Sequence, residues 1–90
     1  MKKTIRIIPH KNFTKQLSKQ SPKVRTKAQE RLHIFMQDPF NRTLNNHALT
    51  GKWDGHRSIN ISGDIRAIYK HSDNNIAIFI AIGSHSSLYR

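Results

Sequence analysis

Two periods of apolar residues alternate along this chain and divide it into a helical front and a stranded back. Lys3–Ile8 is rich in β-branched residues (Thr4, Ile5, Ile7, Ile8) and ends at Pro9, which predicts a first strand. Lys11–Lys19 places Phe13 and Leu17 four apart, the spacing of one helix face. Ser21-Pro22 then starts a second helix, with Ser as cap and Pro at the first helical position, where its missing N–H costs nothing. Val24, Ala28, Leu32 and Phe35 form its apolar stripe, and Asp38-Pro39 stops it because a residue before proline disfavours the helical region. The short joint predicts a helical hairpin, with Phe13, Leu17, Val24, Leu32 and Phe35 as core. Phe40–Lys52 has no sustained period and reads as a loop, after which Gly51 and Gly55 bracket Trp53. His56–Ser62 alternates strictly, Gly63-Asp64 is a hairpin turn, and Ile65–Lys70 is the return strand. Asp73-Asn74-Asn75 marks another turn. Ile76–Ile82 is unbroken apolar, as expected of a central strand buried on both faces. Gly83 ends it and leaves Ser84–Arg90 as a tail. The order strand–helix–helix–strand–strand–strand is α+β: an N-terminal strand, a helical hairpin, then a three-stranded antiparallel meander.

A plain two-residue turn at Gly63-Asp64 pairs residue 61 with 66 and 59 with 68. Arg66 then shares a face with Ile59, Ile61 and Ile68; a bulge in the hairpin would turn it to the other side.

Composition narrows the classes. The chain has 90 residues, a length suited to one domain spanning 1–90, with 16 Lys and Arg against 5 Asp and Glu, a formal charge of +11. Such an excess on a small folded body favours polyanionic partners. There is no cysteine, so no disulfide, which fits a reducing cytoplasm. No apolar run approaches the roughly 20 residues of a membrane span, and no apolar stretch follows the basic Met1-Lys2-Lys3 start, so neither a membrane partner nor a signal peptide is expected. Glu30, Asp38, Asp54, Asp64 and Asp73 are too few and too scattered for a hard-metal site, and the histidine spacings are not those of a metal set; no metal or other cofactor is expected. Histidine is the abundant catalytic type, with His47, His56, His71 and His85 in the second half. RNA cleavage without metal needs a base for the 2′-hydroxyl, an acid for the leaving 5′-oxygen and cations at the phosphoryl oxygens, and histidine and arginine supply all three.

The local sequence is more specific. Asn46-His47-Ala48-Leu49-Thr50-Gly51-Lys52-Trp53, Gly55-His56-Arg57-Ser58, Gly63-Asp64-Ile65-Arg66-Ala67-Ile68-Tyr69-Lys70 and Ile82-Gly83-Ser84-His85-Ser86-Ser87-Leu88-Tyr89 resemble the successive motifs of the RelE/ParE toxin superfamily, and within it the YafQ-like mRNA interferases. The resemblance runs over most of the chain. It implies a RelE-like, microbial-ribonuclease-like fold, ribosome-dependent cleavage of messenger RNA in the A site, and neutralisation by a cognate antitoxin with an acidic segment. By the same resemblance His47, Asp64 and His85 are the catalytic candidates, and Arg57, Arg66 and Tyr89 the substrate-binding ones; the charge distribution adds Lys52 as a further substrate-binding cation near the scissile phosphate. Three positions depart from the family pattern: Asn60 stands where a further histidine is common, Ile65 where an aromatic follows the hairpin acid, and Ala81 near the place of a catalytic arginine. Two other readings stay open at the level of sequence: a ParE-type toxin that binds DNA gyrase, and a non-catalytic RNA- or ribosome-binding protein of the same fold. Trp53 and Tyr69 are read as packing residues.

Overall fold

The computed structural model describes residues 4–89. Lys3 of the first expected strand, the basic start Met1-Lys2-Lys3 and Arg90 of the expected tail lie outside the described residues. The first strand is β1, Arg6–Pro9. Helix α1 (Lys11–Ser18) begins where the His10 ring accepts a hydrogen bond from the Asn12 amide through Nδ1 at 3.0 Å. Helix α2 (Pro22–Gln37) has the bounds its sequence signals dictate. The Ser21 hydroxyl accepts from the Val24 amide at 3.2 Å, and the chain leaves helical geometry at Asp38, immediately before Pro39.

Four more strands follow: β2 (His47–Ala48), β3 (Arg57–Ser62), β4 (Ile65–His71) and β5 (Ile76–Ser84). They form one five-stranded sheet in the order β1-β5-β4-β3-β2, antiparallel except that β1 runs parallel to β5. The expected meander is present as β3-β4-β5. Within the expected loop lie a short edge strand, β2, and two single 3-10 turns. The expected tail contains a short helix, α3 (His85–Leu88), capped by the Ser84 hydroxyl on the Ser87 amide.

The helical hairpin covers one face of the sheet. Phe13 and Phe35 meet Tyr69 and Phe79 there: the Phe35 ring stands edge-on to both, at 4.8 and 5.2 Å between centroids. Such pairs are worth about 0.5–1.5 kcal/mol beyond the area they bury. Leu17, Val24 and Leu32 pack around this cluster, half-buried. The Gln16 side chain also reaches from α1 to the sheet, its Oε1 accepting from the Ile82 amide at 2.9 Å. Strand β5 is central, but its two faces differ. Ala77 and Phe79 are buried beneath the helices, whereas Ile76, Ile78 and Ile80 are only half-buried. The two long helices do not cover that reverse side.

The β3–β4 hairpin corrects the simple register. Ser62 pairs with Ile65 around the turn, but a bulge at Ile61 then sets Asn60 opposite Arg66, Ile59 opposite Ala67 and Arg57 opposite Tyr69. The cause is in β4: Ile65, Ala67 and Tyr69 are its core-facing set, and only the shifted register brings them to the side of Ile59. Arg66 is thereby turned to the reverse face, away from Ile59 and Ile61.

Candidate active site

The reverse face carries a second, smaller apolar cluster. Leu49, Ile68, Ala81 and Leu88 are buried together, with Trp53 and Tyr89 packed against them. Ala81 thus serves as floor, paired with Ile68. Two segments converge on this floor. One is the stretch from β2 through the Gly51–Trp53 turn, tied back by the Leu49 amide donating to His56 O at 3.0 Å. Gly51 (φ 65°) and Gly55 (φ 86°) let the backbone double back on either side of Trp53. The other is α3, pinned at both ends. The His85 amide donates to the Asp64 carbonyl at 2.9 Å, and the Trp53 indole donates through Nε1 to the Leu88 carbonyl at 2.9 Å.

Between the two segments lies an open cleft of about 320 Å³ lined by His47, Ala48, Leu49, Thr50, Arg66, His85 and Tyr89. His47 is exposed, its Nδ1 2.9 Å from the Asn45 carbonyl. A carbonyl can only accept, so Nδ1 is the donor in that contact. His85 is also exposed, its ring against Tyr89 at 4.5 Å between centroids. Arg66 supplies the cation. Its Nε and Nη1 are buried without a hydrogen-bond partner, and so are Asn60 Oδ1 and Ser58 Oγ on the neighbouring strand. Ser58 and Asn60 share the reverse face with Arg66 through the bulged register. Arg66 therefore turns these two donors into the buried polar strip while its side chain also lines the cleft, where a guanidinium charge suits an anion such as phosphate.

Of the residues singled out in sequence, His47, Arg66, His85 and Tyr89 are brought together in this cleft. Asp64 sits exposed in the hairpin turn, and what it gives the site is its main-chain carbonyl, which fixes His85. Lys52 lies in the 3-10 turn with its Nζ 5.9 Å from the Trp53 ring centroid, beside the cleft. Arg57 is on the other face of β3 from Ser58. Its Nε donates to Asn46 Oδ1 at 2.8 Å and its guanidinium lies 5.1 Å from the Phe40 ring centroid, so it does not enter the cleft. Tyr69 is buried with its hydroxyl bonded to Asn46, and Trp53 is a half-buried packing residue as its composition context suggests. Thr50 is a lining residue that sequence reasoning missed; a polar residue beside a catalytic candidate in a loop carries no distinguishing pattern. Among the described residues, no three His, Asp or Glu side chains are grouped so as to hold a metal ion. Nor is any helix there long and apolar enough to cross a membrane.

Comparison with known proteins adds the family. The model of YafQ, a bacterial toxin of type II toxin–antitoxin systems, matches residues 5–90. The chain belongs to the YafQ toxin family. Its fold is that of RelE-like toxins. YafQ from Escherichia coli strain BL21(DE3) superposes with a TM-score of 0.79 at 20% identity, over 96% of this chain and 99% of that one. YafQ in the E. coli DinJ–YafQ toxin–antitoxin complex gives 0.77 at 20% identity, over 97% and 99%. The archaeal RelE–RelB complex of Pyrococcus horikoshii gives 0.74 at 21% identity, over 90% and 94%. Comparison with curated protein sequences gives no match. As a YafQ-family member the chain is a toxin of a type II toxin–antitoxin system, with the α+β fold read from its sequence.

Proposed function

We propose that this YafQ-family toxin, acting as a single domain over residues 1–90, is a ribosome-dependent endoribonuclease that cuts messenger RNA in the A site. The observation that carries this reading is the cleft in which two exposed histidines, from β2 and α3, come together with Arg66. In the reaction, one histidine takes the proton of the 2′-hydroxyl as O2′ attacks the adjacent phosphorus. Arg66 balances the charge growing on the phosphoryl oxygens, a kind of preorganised stabilisation worth about 10²–10³ in rate. The other histidine protonates the departing 5′-oxygen, leaving a 2′,3′-cyclic phosphate and a 5′-hydroxyl. Proton transfer of this kind contributes about 10²–10⁴-fold. We assign His47, whose Nδ1 is held by the Asn45 carbonyl, as the base and His85 as the acid. Tyr89, packed on the His85 ring, closes the cleft against the substrate, and Asp64 acts by holding His85 through its carbonyl.

The cation excess of +11 supplies the attraction to ribosomal RNA, and the lysines of α1 and α2 are its main footing. The same surface suits the acidic segment of a cognate antitoxin in the cytoplasm. Structural relatives caught with their antitoxins, DinJ with YafQ and RelB with RelE, support such a partner. Primer-extension mapping of a reporter messenger after induction tests the proposal. Wild type produces new in-frame 5′ ends within the coding sequence and His85→Ala produces none. Intact messenger together with gyrase-dependent DNA damage would replace it with the ParE-type reading.

A further inference from the structure

Phe40 is 64% exposed, the most exposed large hydrophobic among the described residues, and it stands outside the cleft. Its ring is nonetheless firmly placed. The Arg57 guanidinium lies 5.1 Å from its centroid, and Arg57 is held by Asn46 Oδ1 at 2.8 Å. The Asn46 amide group in turn donates to the Pro39 carbonyl and to the Tyr69 hydroxyl, both at 2.8 Å, and Tyr69 is stacked in the main core. Every polar atom of the Asn46 amide is therefore spent on fixing a cation beneath an exposed aromatic ring. A side chain ordered in advance loses little entropy when a ligand arrives.

We propose that Phe40 and Arg57 form a nucleotide platform for single-stranded RNA, separate from the cleft. A flat ring with a guanidinium beside it suits a nucleobase and its phosphate: the base stacks on the ring, and the guanidinium edge left free by Asn46 meets the phosphate. A protein side chain would instead require an apolar pocket to fill, and the other exposed large hydrophobic, Ile8, belongs to β1 at the opposite edge of the sheet. The location suits a continuing strand. Arg57 is the cross-strand partner of Ala48, which lines the cleft, and β2 is a two-residue edge strand that an RNA chain can cross. The platform rests on the RNA-cleaving reading for the identity of this strand, and it adds a contact one or more nucleotides from the scissile bond.

The test is fluorescence anisotropy of an end-labelled, unstructured 12-nucleotide RNA on His85→Ala protein, with and without Phe40→Ala. Phe40→Ala weakens binding roughly tenfold, in line with the loss of one base–aromatic stack. Phe40→Trp restores it, and the melting temperature is unchanged by either substitution. A polyglutamate peptide serves as the second probe. Unchanged RNA affinity in Phe40→Ala overturns the platform. So does a larger loss for polyglutamate than for RNA, which would assign the ring to an acidic protein partner. Absence of cleavage by the wild-type protein on programmed ribosomes would remove the catalytic reading, while the anisotropy comparison would still decide the platform.

Discussion

Replacing Arg66 with methionine sets function against stability in one substitution. The guanidinium holds two buried donors, Nε and Nη1, that no group in the protein accepts from. Leaving one buried polar group unsatisfied costs about 1–3 kcal/mol, and more for a charged one. Methionine keeps a long unbranched stem over the same floor and removes both donors. Arg66 as a whole is half-buried, so the rest of the side chain keeps contact with water while these two donors do not. The net gain is then about 1–2 kcal/mol, taken from the lower part of that range. For a domain of this size each kcal/mol moves the melting temperature by about 4–8 °C, so Arg66→Met melts about 4–16 °C higher than wild type. Cleavage falls by about 10²-fold or more through loss of the charge that meets the phosphoryl oxygens. Thermal unfolding by circular dichroism reads the first effect and single-turnover cleavage on programmed ribosomes the second. Saturating inorganic phosphate adds a third readout, raising the melting temperature of wild type and not of the variant. A variant that melts at or below wild type refutes the argument from unpaired donors. Wild-type cleavage by the variant refutes the role at the phosphate.

Trp53→Phe keeps the aromatic body but leaves the Leu88 carbonyl without its indole donor. We expect a loss of about 0.5–1.5 kcal/mol in stability, with cleavage falling in kcat more than in KM because α3 carries His85; equal loss in both would deny the positioning role. Asp64→Ala retains the main-chain carbonyl that fixes His85, so cleavage falls less than tenfold (about 1.4 kcal/mol), and a loss equal to that of His85→Ala would show that the carboxylate itself does chemistry.

The elements were legible where a local signal was strong. Ser21-Pro22 and Asp38-Pro39 bounded α2 because capping and proline geometry act within a turn of the chain. Gly63-Asp64 marked the hairpin for the same reason. The face of Arg66 was not settled by the turn, because the bulge at Ile61 is chosen by which residues of β4 must reach the helical core. A signal for it existed in the alternation Ile65, Ala67, Tyr69, obscured by the apolar Ile68 that serves the second cluster. The parallel pairing of β1 with β5 joins the two ends of the chain and leaves no local trace. Likewise, α3 is too short for periodicity to reveal, and β2 is defined by its partner rather than by its own residues.

The site divides along the same line. His47, His85 and Tyr89 were marked by motif resemblance, and the fold brings them to one cleft although they lie far apart in sequence. Arg57 was marked with them, but strand alternation places it on the opposite face from Ser58, where the Asn46 bond and the Phe40 ring hold it. Asn60, a departure from the family pattern, lies beside Arg66 in the bulged register with its own acceptor unpaired. It shares the buried polar strip under the cleft although it is not a histidine.

The chemistry of the cut end tests the central claim most directly. Messenger fragments released on programmed ribosomes by the purified toxin are examined for their termini by end-specific ligation and mass spectrometry. Attack by the 2′-hydroxyl with proton transfer by histidine predicts a 2′,3′-cyclic phosphate on the upstream fragment and a 5′-hydroxyl on the downstream one, with no product from His85→Ala. A 3′-hydroxyl and 5′-phosphate pair, or full cleavage by His85→Ala, would contradict it.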